Sequence, residues 1–131
     1  MQMFETKPLP SKPDVIAPDG SHVRMLAALQ GGSMAHFELP PHHISLAVMH
    51  QTVEEIWFFI AGRGEMWRKS GTYEETVAVE AGVCLTIPLG TRFQFRSFGH
   101  EPLMAIGVTM PPWPGASEAT IVEGKWPPAL S

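Results

Sequence analysis

Residues 50–67 read HQTVEEIWFFIAGRGEMW: a histidine five positions before a glutamate, an aromatic run, then two glycines. An imidazole titrates near neutral pH, and a carboxylate can orient it. His50 and Glu55 are therefore the candidate catalytic residues, His50 as base and Glu55 as its orienting partner. The same two side chains could instead ligate a divalent ion. A buried carboxylate left without a partner costs several kcal/mol or takes up a proton. The pair must then satisfy itself or engage water, an ion or a ligand. Glu54 has the opposite parity and reads as a solvated strand residue.

A strand is the element that would carry these groups. IWFFI is aromatic and β-branched, and Gly62 and Gly64 close the run, which favours a strand over a helix. Similar short runs recur at 22–29, 33–39, 44–50, 55–61, 64–69, 74–80, 83–88, 92–98 and 103–110, with turn material between most of them. No helix of ten residues is apparent, so the pattern predicts an all-β sandwich or barrel. Prolines cluster in PLPSKPDVIAP and in PPWPGASEATIVEGKWPP. Proline cannot donate to a sheet ladder, so both ends read as extended arms. The domain division is 1–21 for an N-terminal arm, 22–110 for the barrel and 111–131 for a C-terminal arm. Trp113 and Trp126 suggest that the latter packs on the barrel or on a second subunit.

Composition narrows the function classes. A chain of 131 residues with 44% apolar and 17% charged residues suits one globular domain. The net charge is −4 and the nine basic residues form no stripe, which argues against nucleic acid. The longest apolar run, 56–61, is too short to span a bilayer. With no apolar stretch near the N-terminus, a cytoplasmic location is the expectation. The single cysteine, Cys84, excludes a disulfide within the chain and a zinc site of cysteine pairs. In the run VCLTI it reads as a small core residue.

Two motifs resemble those of the cupins, small barrels of the double-stranded β-helix or jelly-roll type. In the first, His50 precedes Glu55, and six residues separate Glu55 from Gly62. In the second, Gly82, Pro88 and Gly90 fall in register. The resemblance implies two facing antiparallel sheets, with a mononuclear site of three histidines and one glutamate. His50 and Glu55 occupy two of those positions. Val48 and Phe93 occupy two others, and neither can coordinate a metal. Ser97 stands at the position of a terminal asparagine.

Alternation then sketches the lumen. If His50 faces in, so do Val48 and Leu46; with Glu55 go Trp57 and Phe59, and with Phe93 goes Phe95. The expected pocket comprises Val48, Trp57, Phe59, Phe93, Gln94 and Phe95, with Gln94 turned inward by a bulge. His50, Glu55 and, weakly, Gln94 are the candidate metal ligands, for Mn, Fe, Ni or Zn, or no cofactor is used. His36 could face in with Glu38. His22, His42, His43 and His100 read as turn or surface residues. Arg68, Arg92 and Arg96 could meet a carboxylate or phosphate at an opening.

The expected function is small-molecule binding in a largely apolar pocket anchored by His50 and Glu55. The alternative is a cupin enzyme (an isomerase, epimerase, lyase or metal-dependent dioxygenase) acting on a small sugar or organic acid. A pocket filled by its own side chains is the third reading. Whether the chain is an enzyme stays open at this point. A homodimer is expected, with the N-terminal arm a candidate to cross to the partner.

Overall fold

A computed structural model describes residues 3–130. Among them are eleven strands, one 3₁₀ turn and no α-helix. In chain order the strands are β1 (Val15–Ile16), β2 (His22–Leu29), β3 (Gly32–Leu39), β4 (Val48–His50), β5 (Glu54–Ala61) and β6 (Arg63–Ser70). They continue with β7 (Tyr73–Glu80), β8 (Cys84–Ile87), β9 (Arg92–Phe98), β10 (Leu103–Met110) and β11 (Ala119–Ile121). One sheet runs β1-β2-β3-β10-β5-β8 and the other β11-β4-β9-β6-β7. All pairings are antiparallel. The two sheets face each other as a jelly roll, as the strand pattern predicts. No helix among the described residues is long and apolar enough to cross a membrane.

Each sheet turns its alternate residues inward. On β5 the pattern is strict: Glu55, Trp57 and Phe59 are buried, while Glu54, Ile56, Phe58 and Ile60 are exposed. The core centres on Trp57, Phe59, Phe93, Phe95, Leu39 and Met66. Trp57 stacks on Phe37 at 4.6 Å between ring centroids, and meets Phe93 and Phe95 edge-on at 6.0 and 5.2 Å. Gly62 explains one motif glycine. It has φ 75°, and a Cβ there would collide with the Pro102 carbonyl oxygen.

The arms are structural members of the sheets. Val15 pairs with Val23 and Ile16 with His22, which ties this part of the N-terminal arm to β2. Arg24 Nε fastens it further by donating to the Pro10 carbonyl at 2.9 Å. In the C-terminal arm, β11 pairs with β4, and Ala129 exchanges backbone hydrogen bonds with Ile44.

Two local readings are corrected. Only 48–50 of the 44–50 run is a strand, because Ser45 and Leu46 turn their N–H groups to the Phe95 and Asp19 carbonyls. Cys84 is exposed on the outer face of β8, opposite Phe58, and is not a core residue. An apolar run is ambiguous when the sheet's outer face is itself apolar.

Candidate functional site

β4 and β5 bring His50 and Glu55 together from the two facing sheets. The intervening turn, Gln51–Val53, is held by Glu118 in the C-terminal arm. Its carboxylate accepts from the Thr52 backbone N–H, from the Thr52 hydroxyl at 2.8 Å and from the Val53 N–H at 3.0 Å. Burial would raise the Glu118 pKa, but these donors outweigh it and hold the carboxyl below its ordinary value. Glu118 thus fixes the turn that sets the separation of His50 and Glu55. Nothing in the local sequence pairs it with residues 52 and 53, which lie far away along the chain.

The His50 and Glu55 side chains border a cavity of about 390 Å³ between the sheets. His50 Nδ1 lies 3.2 Å from Glu55 Oε2. Their directions do not make a hydrogen bond, and both atoms are buried without a partner among the described residues. Trp57 Nε1, on another residue lining the cavity, is likewise unpaired. The His50 ring meets Phe93 and Trp113 edge-on at 5.3 and 5.2 Å.

Asp19 is a third polar group at this cavity, delivered by the N-terminal arm. The Leu46 N–H donates to its backbone carbonyl, and the Ser21 N–H and hydroxyl donate to its Oδ1 at 2.9 and 2.6 Å. Desolvation raises its pKa above the ordinary 3.8. The hydrogen bonds from Ser21 oppose that shift, the Glu55 charge adds to it and His50 works against it. The sequence shows Asp19 only as part of P-D-G-S, a turn signal within a proline-rich arm. A raised carboxyl pKa means that the folded state binds the proton more tightly than the unfolded one. Stability from this group is full below about pH 4 and is lost as pH rises through the folded pKa. Asp19→Asn is therefore expected to flatten that loss in urea unfolding measured across pH. An unchanged slope would contradict the assignment.

The other expected site residues divide. Val48, Trp57 and Phe93 line the cavity; Phe59 and Phe95 belong to the core and do not. Gln94 lies outside the cavity lining. Its amide donates to the carbonyls of Ser45 and Trp126 at 2.8 Å each and accepts from the N–H groups of Lys125 and Trp126. With donors and acceptor engaged, Gln94 clamps the C-terminal arm and has no role as a metal ligand here. A Cβ at Gly124 would strike it, so the clamp needs glycine there. His36 has the parity opposite to Ala35 and Phe37, which do line the cavity, and Glu38 pairs with Arg24 at 2.8 Å. Arg68 and Arg96 pair with Glu75 and Glu65. Neither these two nor Arg92 borders the cavity.

Among the described residues, no three His, Cys, Asp or Glu side chains form a cluster suited to a metal ion. His50 and Glu55 supply two donors, and the apolar Val48 and Phe93 stand across β4 and β9 as a register pair. Stable sites usually take three or more protein ligands. The donor set does not fit the mononuclear site that the motif implies.

No protein-family model and no curated protein matches the chain. Solved structures do. An oxalate decarboxylase variant from Bacillus subtilis superposes with a TM-score of 0.66 at 17% identity, over 75% of this chain and 28% of that one. This chain thus spans little more than a quarter of that enzyme, which has Mn(II) centres. A protein from Bacillus halodurans matches with a TM-score of 0.63 at 18% identity, over 76% of this chain and 75% of that one. A protein from Klebsiella pneumoniae with a double-stranded β-helix domain matches over 95% of this chain and 99% of its own, with a TM-score of 0.64 at 14% identity. At such identities the likeness is one of fold. The chain folds as a small cupin-type double-stranded β-helix.

Proposed function

We propose that the barrel binds a small organic molecule in the cavity, with His50 and Glu55 as its polar anchor and Asp19 beside them. The observation that carries this reading is an apolar cavity to whose wall the fold brings three polar residues, His50, Glu55 and Asp19. A few polar groups on an otherwise apolar wall give a small molecule fixed points to hydrogen-bond. The test is His50→Ala with 2-phenylethanol as probe. The variant is expected to melt as a folded protein while its affinity for the probe falls by up to about tenfold. If the variant unfolds instead, His50 is a core residue and the reading fails.

An acid/base enzyme is the second reading. The 3.2 Å between Nδ1 and Oε2 would let Glu55 orient His50 for proton transfer. Turnover of a bound ligand, abolished in Glu55→Gln, would distinguish an enzyme from a binding module.

We also propose a homodimer through the outer face of the six-stranded sheet. Met34, Ile56, Phe58 and Ile60 are exposed there, between 40% and 48%. Val108 pairs with both Ile56 and Met34, which joins them across β3, β10 and β5. The centre of the patch carries no charge, so a like surface suits it. Phe58→Glu is expected to turn a dimer into a monomer in sedimentation equilibrium. A wild type that is monomeric at high micromolar concentration would contradict the proposal.

A further inference from the structure

The polar end of the cavity is rich in acceptors and lacks cationic side chains. His50 and Glu55, 7% and 3% exposed, both line the cavity, with Nδ1 and Oε2 3.2 Å apart. A proton on Nδ1 lets the imidazole donate to Glu55, which leaves the other carboxylate oxygen as an acceptor. The carboxylate of Asp19 adds a further acceptor, and Ser21 occupies only its Oδ1. Among the described residues, no lysine or arginine lines the cavity. The remaining walls are largely apolar, with the rings of Trp57, Phe93 and Trp113 among them, and include Thr109.

Resting on the reading of the cavity as an organic-ligand site, we infer that its ligand is a small apolar amine, bound as the ammonium ion. A primary ammonium presents three donors and no acceptor, which suits the carboxylates of Glu55 and Asp19. Its charge offsets two carboxylates taken out of water, and aromatic faces favour a cation. A carboxylate ligand would face Asp19 and Glu55 with no arginine or lysine to offset its charge. Oxalate and other small organic acids are thus disfavoured as ligands, although the fold is shared with an oxalate decarboxylase.

Three probes of one shape test the charge directly: 2-phenylethylamine, 2-phenylethanol and phenylacetate, titrated calorimetrically into the whole chain at pH 7. The expected order is amine, then alcohol, then acid, with the amine at least about tenfold tighter than the acid, as charge-assisted hydrogen bonds require. The isosteric Glu55→Gln is expected to weaken the amine about tenfold and to change the alcohol far less. Phenylacetate binding as tightly as the amine would overturn the inference while leaving the organic-ligand reading in place. Failure of all three probes to bind would overturn that reading and the inference with it. The wild-type ranking decides the matter even if the variant does not fold.

Discussion

Trp57→Ala is expected to lower the free energy of unfolding by about 3–5 kcal/mol, the range for deleting a large aromatic side chain from a packed core. Trp57 is 1% exposed on β5 and touches both sheets. It stacks on Phe37 from the same sheet and meets Phe93 and Phe95 from the facing one. The loss would also leave Phe37 and Phe93 without their shared neighbour. Domains of this kind have a total stability of roughly 5–15 kcal/mol, so the variant should be partly unfolded at 37 °C. Urea unfolding followed by circular dichroism measures the change. A loss below about 1 kcal/mol would show that the cavity collapses around the missing ring.

The second large effect concerns binding rather than stability. Ala35→Phe is expected to abolish ligand binding, by about a hundredfold or more, because the added ring would occupy the cavity itself. Ala35 lines the cavity from β3, beside Phe37 and opposite Gly107 of β10. Filling an existing void costs little compared with forcing a ring into a packed core, so the melting temperature should hold or rise. The opposite pairing of results, retained binding with a large loss of stability, would place the ligand elsewhere. Calorimetric titration and a thermal melt on one preparation give both readouts.

The inward face of β5 was legible because alternation is strict there: E-I-W-F-F sets Glu55, Trp57 and Phe59 on one side. His50 could be placed beside Glu55 through the motif and its glycines. Gln94 was misplaced because its own parity is outward, and what covers it is a distant arm carrying Lys125 and Trp126. Asp19 escaped for a similar reason. Its carboxyl reaches the cavity because the Leu46 N–H binds its carbonyl and β1 pairs with β2, contacts that no local pattern encodes. The break at 44–47 follows from those same contacts. Local periodicity thus reports which face a strand buries, whereas the arms are positioned by hydrogen bonds between segments far apart in the chain.

The four tryptophans offer a direct test of the central claim, that the cavity is a binding site for an organic molecule. Trp57 and Trp113 line it. Trp67 donates its indole N–H to Glu74 at 2.7 Å, and Trp126 lies under Arg96 at 4.2 Å, both away from the cavity. The measurement is a two-dimensional ¹H–¹⁵N spectrum of the indole N–H groups during titration with 2-phenylethanol, repeated with Mn²⁺. The account predicts that the Trp57 and Trp113 signals move with the organic probe while those of Trp67 and Trp126 stay in place, and that Mn²⁺ leaves all four sharp at stoichiometric concentration. Four unmoved signals with the organic probe, or selective broadening of Trp57 and Trp113 by one equivalent of Mn²⁺, would contradict it.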